Sequence, residues 1–307
     1  MEPRATRLLR RPRLLIVGCG DVGMRVLGLL QRRWRVLVVT HSPPRRVALR
    51  AAGATPLVAD LDDPPTLARL ARLADAVLHL APPESHGARD TRSAALLAAL
   101  ARGGGVRRLV YTSTSGVYGD CAGARVLETR ALNPATERAQ RRADAERQVR
   151  AYARACRVRA TILRVPGIYA FDREGGDPRD RVRRGNPALA AQDDVVTNHI
   201  HADDLARACV AALLRGPTMR AIHVNDDDAS KMGDHLDRVA DHCGLPRVPR
   251  LTRAEARQSL SPLQMSFLSE SRRLDNTRMK RELRLVLRYP RVEAALDEST
   301  QGRRQTP

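Results

Sequence analysis

Leu14-Leu15-Ile16-Val17-Gly18-Cys19-Gly20-Asp21-Val22-Gly23 is the stretch whose reading decides the fold. Its apolar run reads as a buried parallel strand, and Gly18, Gly20 and Gly23 supply the G-x-G-x-x-G spacing of a strand that turns into a helix around a pyrophosphate. Each glycine answers one need of that turn. Gly18 permits the tight bend, Gly20 removes a Cβ that would strike the phosphates, and Gly23 lets the helix pack on the strand with its free N–H groups toward the anion. The context supports this, since Val22 to Leu30 has helical apolar spacing and Arg35 to Thr40 reads as a second strand at βαβ distance. The loop therefore predicts a dinucleotide site formed by Gly18, Gly20, Asp21, Val22 and Gly23.

Outward from the loop, the second strand ends at Thr40, where such a fold discriminates between cofactors. A carboxylate near this point accepts hydrogen bonds from the ribose of NAD. No Asp or Glu lies between Asp21 and Asp60, and Thr40, His41, Ser42, Arg45 and Arg46 stand there instead. Hydroxyls and guanidinium groups suit a 2′-phosphate, so the expectation is NADP rather than NAD. The other reading makes Arg45 and Arg46 solvated residues of the next helix.

Strands are expected at Thr55 to Ala59, Asp75 to Leu80 and from Arg108 onward in the stretch that runs on to Gly119, with helices at Pro64 to Leu73 and Thr91 to Arg102. Alternation of this kind makes an α/β Rossmann-type fold, a doubly wound parallel sheet with ligands at the carboxyl ends of its strands. Asp60, Leu61, Ala81 and Pro82 follow two of those strands and join the expected cofactor site.

The formal net charge of +20 calls for a test against nucleic-acid binding. Lys231 and Lys280 are the only lysines among 54 basic residues, and the arginines run through the whole chain, as a compositional bias does. Aromatic residues make up only 3%, too few for base-stacking platforms, so no specific nucleic-acid partner is expected. Five scattered cysteines without a C-x-x-C pair suit a reducing cytoplasm, and no apolar run has the length of a membrane span. His199 and His201 share one face of a predicted strand, but metal is not the expected use of them.

Hydroxyl residues Thr112 to Ser115 end the fifth strand, in the stretch LVYTSTSGVYGD. Here the chain resembles the extended and atypical short-chain dehydrogenases/reductases, the NAD(P)-dependent epimerase/dehydratase group. The same resemblance runs through Glu128-Thr129, Asn133-Pro134, Leu163-Arg164 with Ile168-Tyr169, and Asn198 to Ala206, in order over residues 13 to about 225. It implies that Thr114 polarises a substrate carbonyl, with Ser115, Tyr169, His199 and His201 toward the substrate. The family's acid/base is a Y-x-x-x-K pair on one helix face, whose ammonium lowers the phenol pKa. Arg138 and Arg142 occupy that register here, and none of the five tyrosines has a lysine four places on.

An arginine is no proton donor, because it stays charged throughout the useful pH range. Two readings follow. In one, the protein still does redox, epimerase or dehydratase chemistry at a carbonyl or carbinol carbon. Thr114 then orients the carbonyl, Arg138 or Arg142 holds an oxyanion, and Tyr118 or water handles the proton. In the other, it is a catalytically inactive NAD(P)-binding sensor. Arg138 and Arg142 also fit a solvated helix face, given the i, i+4 spacing of Arg142 and Glu146.

The expected organisation is a basic tail over 1–12, a Rossmann domain over 13–215 and a mostly helical substrate-binding region over 216–307. Within the Rossmann domain, the charged segment 172–194 reads as a loop over the site, and its arginines face either solvent or an acidic substrate. The resemblance implies a small-molecule, sugar-like or nucleotide-linked substrate and a homodimer built on two long helices.

Overall fold

The computed structural model describes residues 11–30 and 33–304. Most of the tail assigned to 1–12 lies outside the described residues. The chain begins with β1 (Arg13–Val17), α1 (Asp21–Leu30), β2 (Arg35–Thr40), α2 (Arg45–Ala51) and β3 (Thr55–Val58). A 3₁₀ turn over Pro64–Leu70 takes the place of the helix expected to reach Leu73, because Ala71 is extended and Arg72 has a positive φ of 61°. Next come β4 (Ala76–His79), α3 (Thr91–Gly103), β5 (Arg108–Thr114), the short β6 (Arg125–Val126), α4 (Glu137–Cys156) and β7 (Arg159–Val165).

The chain continues with β8 (Gly167–Tyr169), α5 (Pro178–Arg183), β9 (Ala188–Leu189), β10 (His199–His201), α6 (Ala202–Arg215), β11 (Arg220–His223) and α7 (Met232–Cys243). Seven strands form one parallel sheet in the order β11-β7-β5-β4-β1-β2-β3. Strand β1 lies at the reversal of strand order, so a crevice opens beyond its carboxyl end, where Gly18 begins.

Period-two alternation explains why β1 is apolar throughout. Leu14 and Ile16 join the core beneath α1 and α6, whereas Leu15 and Val17 join the core beneath α3 and α4. A third core packs Tyr169, Val182, Leu189, Leu236, Val239, Val292 and Leu296. It belongs to a smaller unit built from 169–196 and 232–296.

Two expectations are corrected here. Arg220–His223 pairs with β7 as the edge of the main sheet, so a boundary at 215/216 falls inside the sheet. Segment 172–194 is no plain loop, since it contains α5 and β9 and buries Val182, Ala188 and Leu189. Those apolar residues are too sparse to show a period, and their partners on α7 lie some fifty residues away. No helix among the described residues is long and apolar enough to cross a membrane.

Beneath the sheet edge lies a buried polar network. Arg164 forms a bidentate pair with Glu146, Nε to Oε1 at 3.0 Å and Nη2 to Oε2 at 2.7 Å, with side chains 4% and 1% exposed. Its Nη1 also donates to the Glu128 carbonyl at 3.0 Å and to the Tyr118 hydroxyl at 2.5 Å. His223 Nδ1 lies 3.0 Å from the Asp275 carbonyl and must donate to it, which leaves Nε2 to accept the Tyr118 hydroxyl at 2.6 Å.

This network holds His223 neutral, and burial pushes its pKa, like that of His79, down to about 3 from 6.5. Both groups bind a proton in the unfolded chain below pH 6.5 that they refuse in the fold. Stability is therefore full above that pH and declines as the pH falls toward 3. Urea unfolding should show a loss of about 3 kcal/mol between pH 7.5 and 5.5, roughly 1.4 kcal/mol per unit for each histidine below its unfolded pKa. An unchanged midpoint over that range would contradict it.

Candidate active site

The glycine loop opens onto a cleft of about 600 Å³ at the carboxyl ends of β1, β2, β4 and β5. Its three glycines differ in what a side chain would meet. Gly18 has φ +88° and a Cβ there would stand 2.3 Å from the Ala81 backbone N. At Gly23 a Cβ would stand 3.0 Å from Cys19 Sγ, beneath the helix. At Gly20 nothing lies within 4 Å, so the space that its missing Cβ leaves is open to the cleft. That vacancy at the start of α1, faced by free N–H groups, fits a dinucleotide diphosphate.

Around it, Asp21, Val22, Thr40, His41, Arg45, Asp60, Leu61, Ala81 and Pro82 line the same cleft. Arg45 Nη2 donates to the Cys19 carbonyl at 2.7 Å, which fastens α2 to the glycine loop and keeps the guanidinium at the cleft. Ser42 does not line it, and its N–H turns back onto Thr40 Oγ1 at 3.2 Å. Sequence reasoning missed Asp62, whose pair with Arg92 (2.5 Å) lies at the same end. It also missed a clip over the loop, in which Arg25 pairs with Asp21, Asp172 and Asp203 while Arg173 pairs with Asp21 at 2.7 Å. Apart from the i, i+4 pair of Asp21 and Arg25, these partners stand 30 to 178 residues apart and leave no local pattern to read.

A second cleft, of about 520 Å³, adjoins the smaller unit. Thr114 and Pro166 line both clefts, so the two meet there. Thr114 Oγ1 accepts the Gly116 N–H at 3.2 Å as the cap of a 3₁₀ turn over Ser115–Tyr118, and its own O–H is left to donate. Beside it, Ser113 lines the first cleft with a buried hydroxyl that has no partner among the described residues. Ser115, Arg138 and His199 line the second cleft.

Helix α4 carries both arginines of the expected acid/base register, and they serve different clefts. Arg142 lines the first, donating to the Thr112 carbonyl at 3.0 Å, the Tyr111 hydroxyl at 3.2 Å and the Ala81 carbonyl at 3.4 Å. Arg138 is exposed, with its guanidinium 4.6 Å over the Phe267 ring.

The tyrosines expected near the substrate are set apart from it. Tyr118 is 1% exposed and lines neither cleft, and burial pushes its pKa up to about 12. Its hydroxyl already gives its proton to His223 and accepts from Arg164, so it has no route to a proton in the cleft. Tyr169 and His201 are also buried outside both clefts, in contact with each other at 5.2 Å between ring centres. His201 Nδ1 caps α6 by accepting the Asp203 N–H at 3.2 Å. His199 stacks on His235 with centres 4.1 Å apart, and burial holds its pKa well below 6.5. Among the described residues, no group of three His, Cys, Asp or Glu side chains is placed to hold a metal.

The model of the NAD dependent epimerase/dehydratase family matches residues 14–225. No curated protein matches the chain. A functionally unknown conserved protein from Silicibacter pomeroyi is 30% identical with a TM-score of 0.79, covering 95% of this chain and 99% of that one. More distant is the UDP-glucose 4-epimerase of Thermotoga maritima, solved with UDP-glucose, at 19% identity and TM-score 0.74, covering 96% and 99%. The dTDP-glucose 4,6-dehydratase of Streptomyces venezuelae, solved with NAD, stands at 22% and 0.75, covering 95% and 97%. The last two show a shared fold. Matched over most of its sheet, including the glycine loop and the strand that carries Thr114, the chain belongs to the NAD dependent epimerase/dehydratase family.

Proposed function

We propose that this protein binds NADP in the first cleft and performs hydride transfer, reduction or epimerisation at a carbonyl or carbinol carbon of a small substrate in the second. The observation that carries this reading is the meeting of the two clefts at Thr114 and Pro166. Gly20 and the N–H groups at the start of α1 would hold the diphosphate, and Asp60 and Leu61 would line the adenosine end. The preference for NADP is supported by the carboxylate-free run from 22 to 59 and by Arg45 and His41 at the rim. When bound, the cofactor supplies the hydride acceptor or donor.

The chain's own residues do the rest. Arg142, braced on the Thr112 carbonyl, presents a fixed positive charge where the family's lysine would stand, and Thr114 donates a hydrogen bond to the substrate oxygen. Proton transfer falls to a group other than Tyr118. His199, kept neutral by burial, and the free hydroxyl of Ser113 are the groups so placed. Segments 13–168 and 197–223 form the cofactor-binding part and the smaller unit the substrate wall.

A sensor that binds NADP without turning it over is favoured by one observation, the withdrawal of Tyr118 into the buried network. Fluorescence titration and a carbonyl-substrate screen separate the two. NADPH should bind at least tenfold more tightly than NADH, with Arg45→Ala removing the difference. Thr114→Ala should lower turnover about 100-fold at unchanged NADPH affinity, the size expected for one lost oxyanion donor. Equal affinities would defeat the NADP assignment, and NADPH binding without turnover of any carbonyl would favour the sensor.

A further inference from the structure

At the amino edge of the main sheet, the end away from the cofactor cleft, the strands start on arginine. Arg13 opens β1, Arg35 β2, Arg108 β5, Arg159 β7 and Arg220 β11. Because the strands are parallel these starts stand side by side, with Arg13 in register with Arg35 and Arg108 with Arg159. Neighbouring strands lie about 4.8 Å apart, so the row from β11 to β2 runs roughly 24 Å over five steps. The connections that lead into the strands add Arg33, Arg72, Arg107 and Arg157, and Asp75 is the one carboxylate in them among the described residues.

Composition does not account for this edge. The whole chain has 34 acidic residues to 54 basic ones, nearly two for every three. Here Asp75 holds Arg13 at 3.5 Å and Glu282 reaches Arg220 at 3.6 Å, while Arg108 is spent on the Leu213 and Leu214 carbonyls at 3.2 and 2.9 Å. Arg33, Arg35, Arg102, Arg107, Arg157 and Arg159 are exposed and form no ion pair among the described residues. A helix C-terminus favours a cation, which suits Arg102 on α3 and Arg157 after α4. Strands have no comparable dipole, and like charges in register across a sheet are destabilising. The starts of β2 and β7 therefore carry charge that the fold itself does not use.

We propose that this edge binds the phosphate backbone of a nucleic-acid duplex without reading its bases. Guanidinium forks match phosphate oxygens, and a duplex is a dense linear polyanion for a straight row of cations to meet. A protein partner would need an apolar centre, whereas nucleic-acid interfaces are polar and positive. Of the large apolar side chains exposed among the described residues, none belongs to these strand starts or connections. The 3% aromatic content agrees with the lack of base readout. This surface is independent of the function proposed above, since the cofactor cleft lies at the opposite ends of the same strands.

Fluorescence anisotropy with short labelled duplexes tests it, using DNA of two unrelated sequences and an RNA duplex between about 50 and 200 mM salt. The two DNA sequences should bind alike, and the logarithm of affinity should fall with the logarithm of salt at a slope near −5, for six contacts at about 0.9 each. Preference for the RNA duplex or for DNA would identify the source of the phosphates. Arg107→Gln with Arg159→Gln should flatten the slope by about 2 and weaken both sequences equally. Arg33→Gln with Arg35→Gln should do the same, so that the result does not hang on one pair. Arg130→Gln with Arg257→Gln, exposed arginines outside the edge, should change nothing. NADPH titration of all three variants should match the parent, which shows them folded and the two sites separate. The proposal is overturned if no duplex binds at 50 mM salt, or if the Arg130 and Arg257 pair flattens the slope as much as the edge pairs, since the charge then acts from the whole surface. Tighter binding of poly-glutamate than of either duplex would also overturn it, in favour of an acidic protein.

Discussion

Gly20→Asp should abolish NADPH binding, with a loss of at least 100-fold, while leaving the protein folded. Both halves of that result come from the geometry of one residue. Because no atom lies within 4 Å of a Cβ built at Gly20, a β-carbon there collides with nothing in the protein itself. A carboxylate at the start of α1 is even favourable toward the helix dipole. What it does occupy is the opening where a diphosphate must come closest to backbone, and its negative charge repels the phosphates in a partly desolvated cleft. Gly18→Ala should do the reverse. Its Cβ would stand 2.3 Å from the Ala81 backbone N at a φ of +88°, so the sheet end must move and the fold suffers first. Fluorescence titration together with circular dichroism of both variants checks the contrast. Retained NADPH binding in folded Gly20→Asp would remove the loop as the cofactor site.

Glu146→Ala should cost about 3–5 kcal/mol, the range for breaking a buried ion pair by removing one partner. The bidentate contact with Arg164 is almost wholly buried, and the same guanidinium supports the Tyr118 hydroxyl and the Glu128 carbonyl. Removing the carboxylate leaves a charge without solvent or counter-ion and disturbs the tyrosine that positions His223. Glu146→Gln keeps the shape and one acceptor and should cost less. Glu137→Ala, which removes an exposed partner of Arg141 on the same helix, should change stability by less than about 0.5 kcal/mol. Chemical denaturation of the three variants decides the matter. A Glu146→Ala loss below about 1 kcal/mol would mean that water reaches Arg164.

These two residues also mark how far the sequence could be read. Gly18, Gly20 and Gly23 announce themselves by spacing, and what each does in the fold follows from chemistry confined to ten consecutive residues. Glu146 was legible only as an i+4 neighbour of Arg142, a pattern that suits a solvated helix face. Its true partner is Arg164, on the next strand of the sheet. Tyr118 carried a similar ambiguity, since a tyrosine near Thr114 in sequence is near it in space, yet the direction of its hydroxyl is set by His223, more than a hundred residues away.

By itself, then, the sequence determined the strand-loop-helix at Gly18 to Gly23, the alternation that makes a parallel doubly wound sheet, and that no tyrosine has a lysine four places on. All three are local in the chain, because hydrophobic period, turn chemistry and residue identity need no distant partner to be read. Tertiary structure alone decided that Tyr118 is tied into a buried network, that Arg142 and Arg138 serve different clefts, and that β11 completes the main sheet. Each of these depends on which side chains meet across long stretches of chain. Burial and pairing, unlike periodicity, are properties of the meeting and not of either residue.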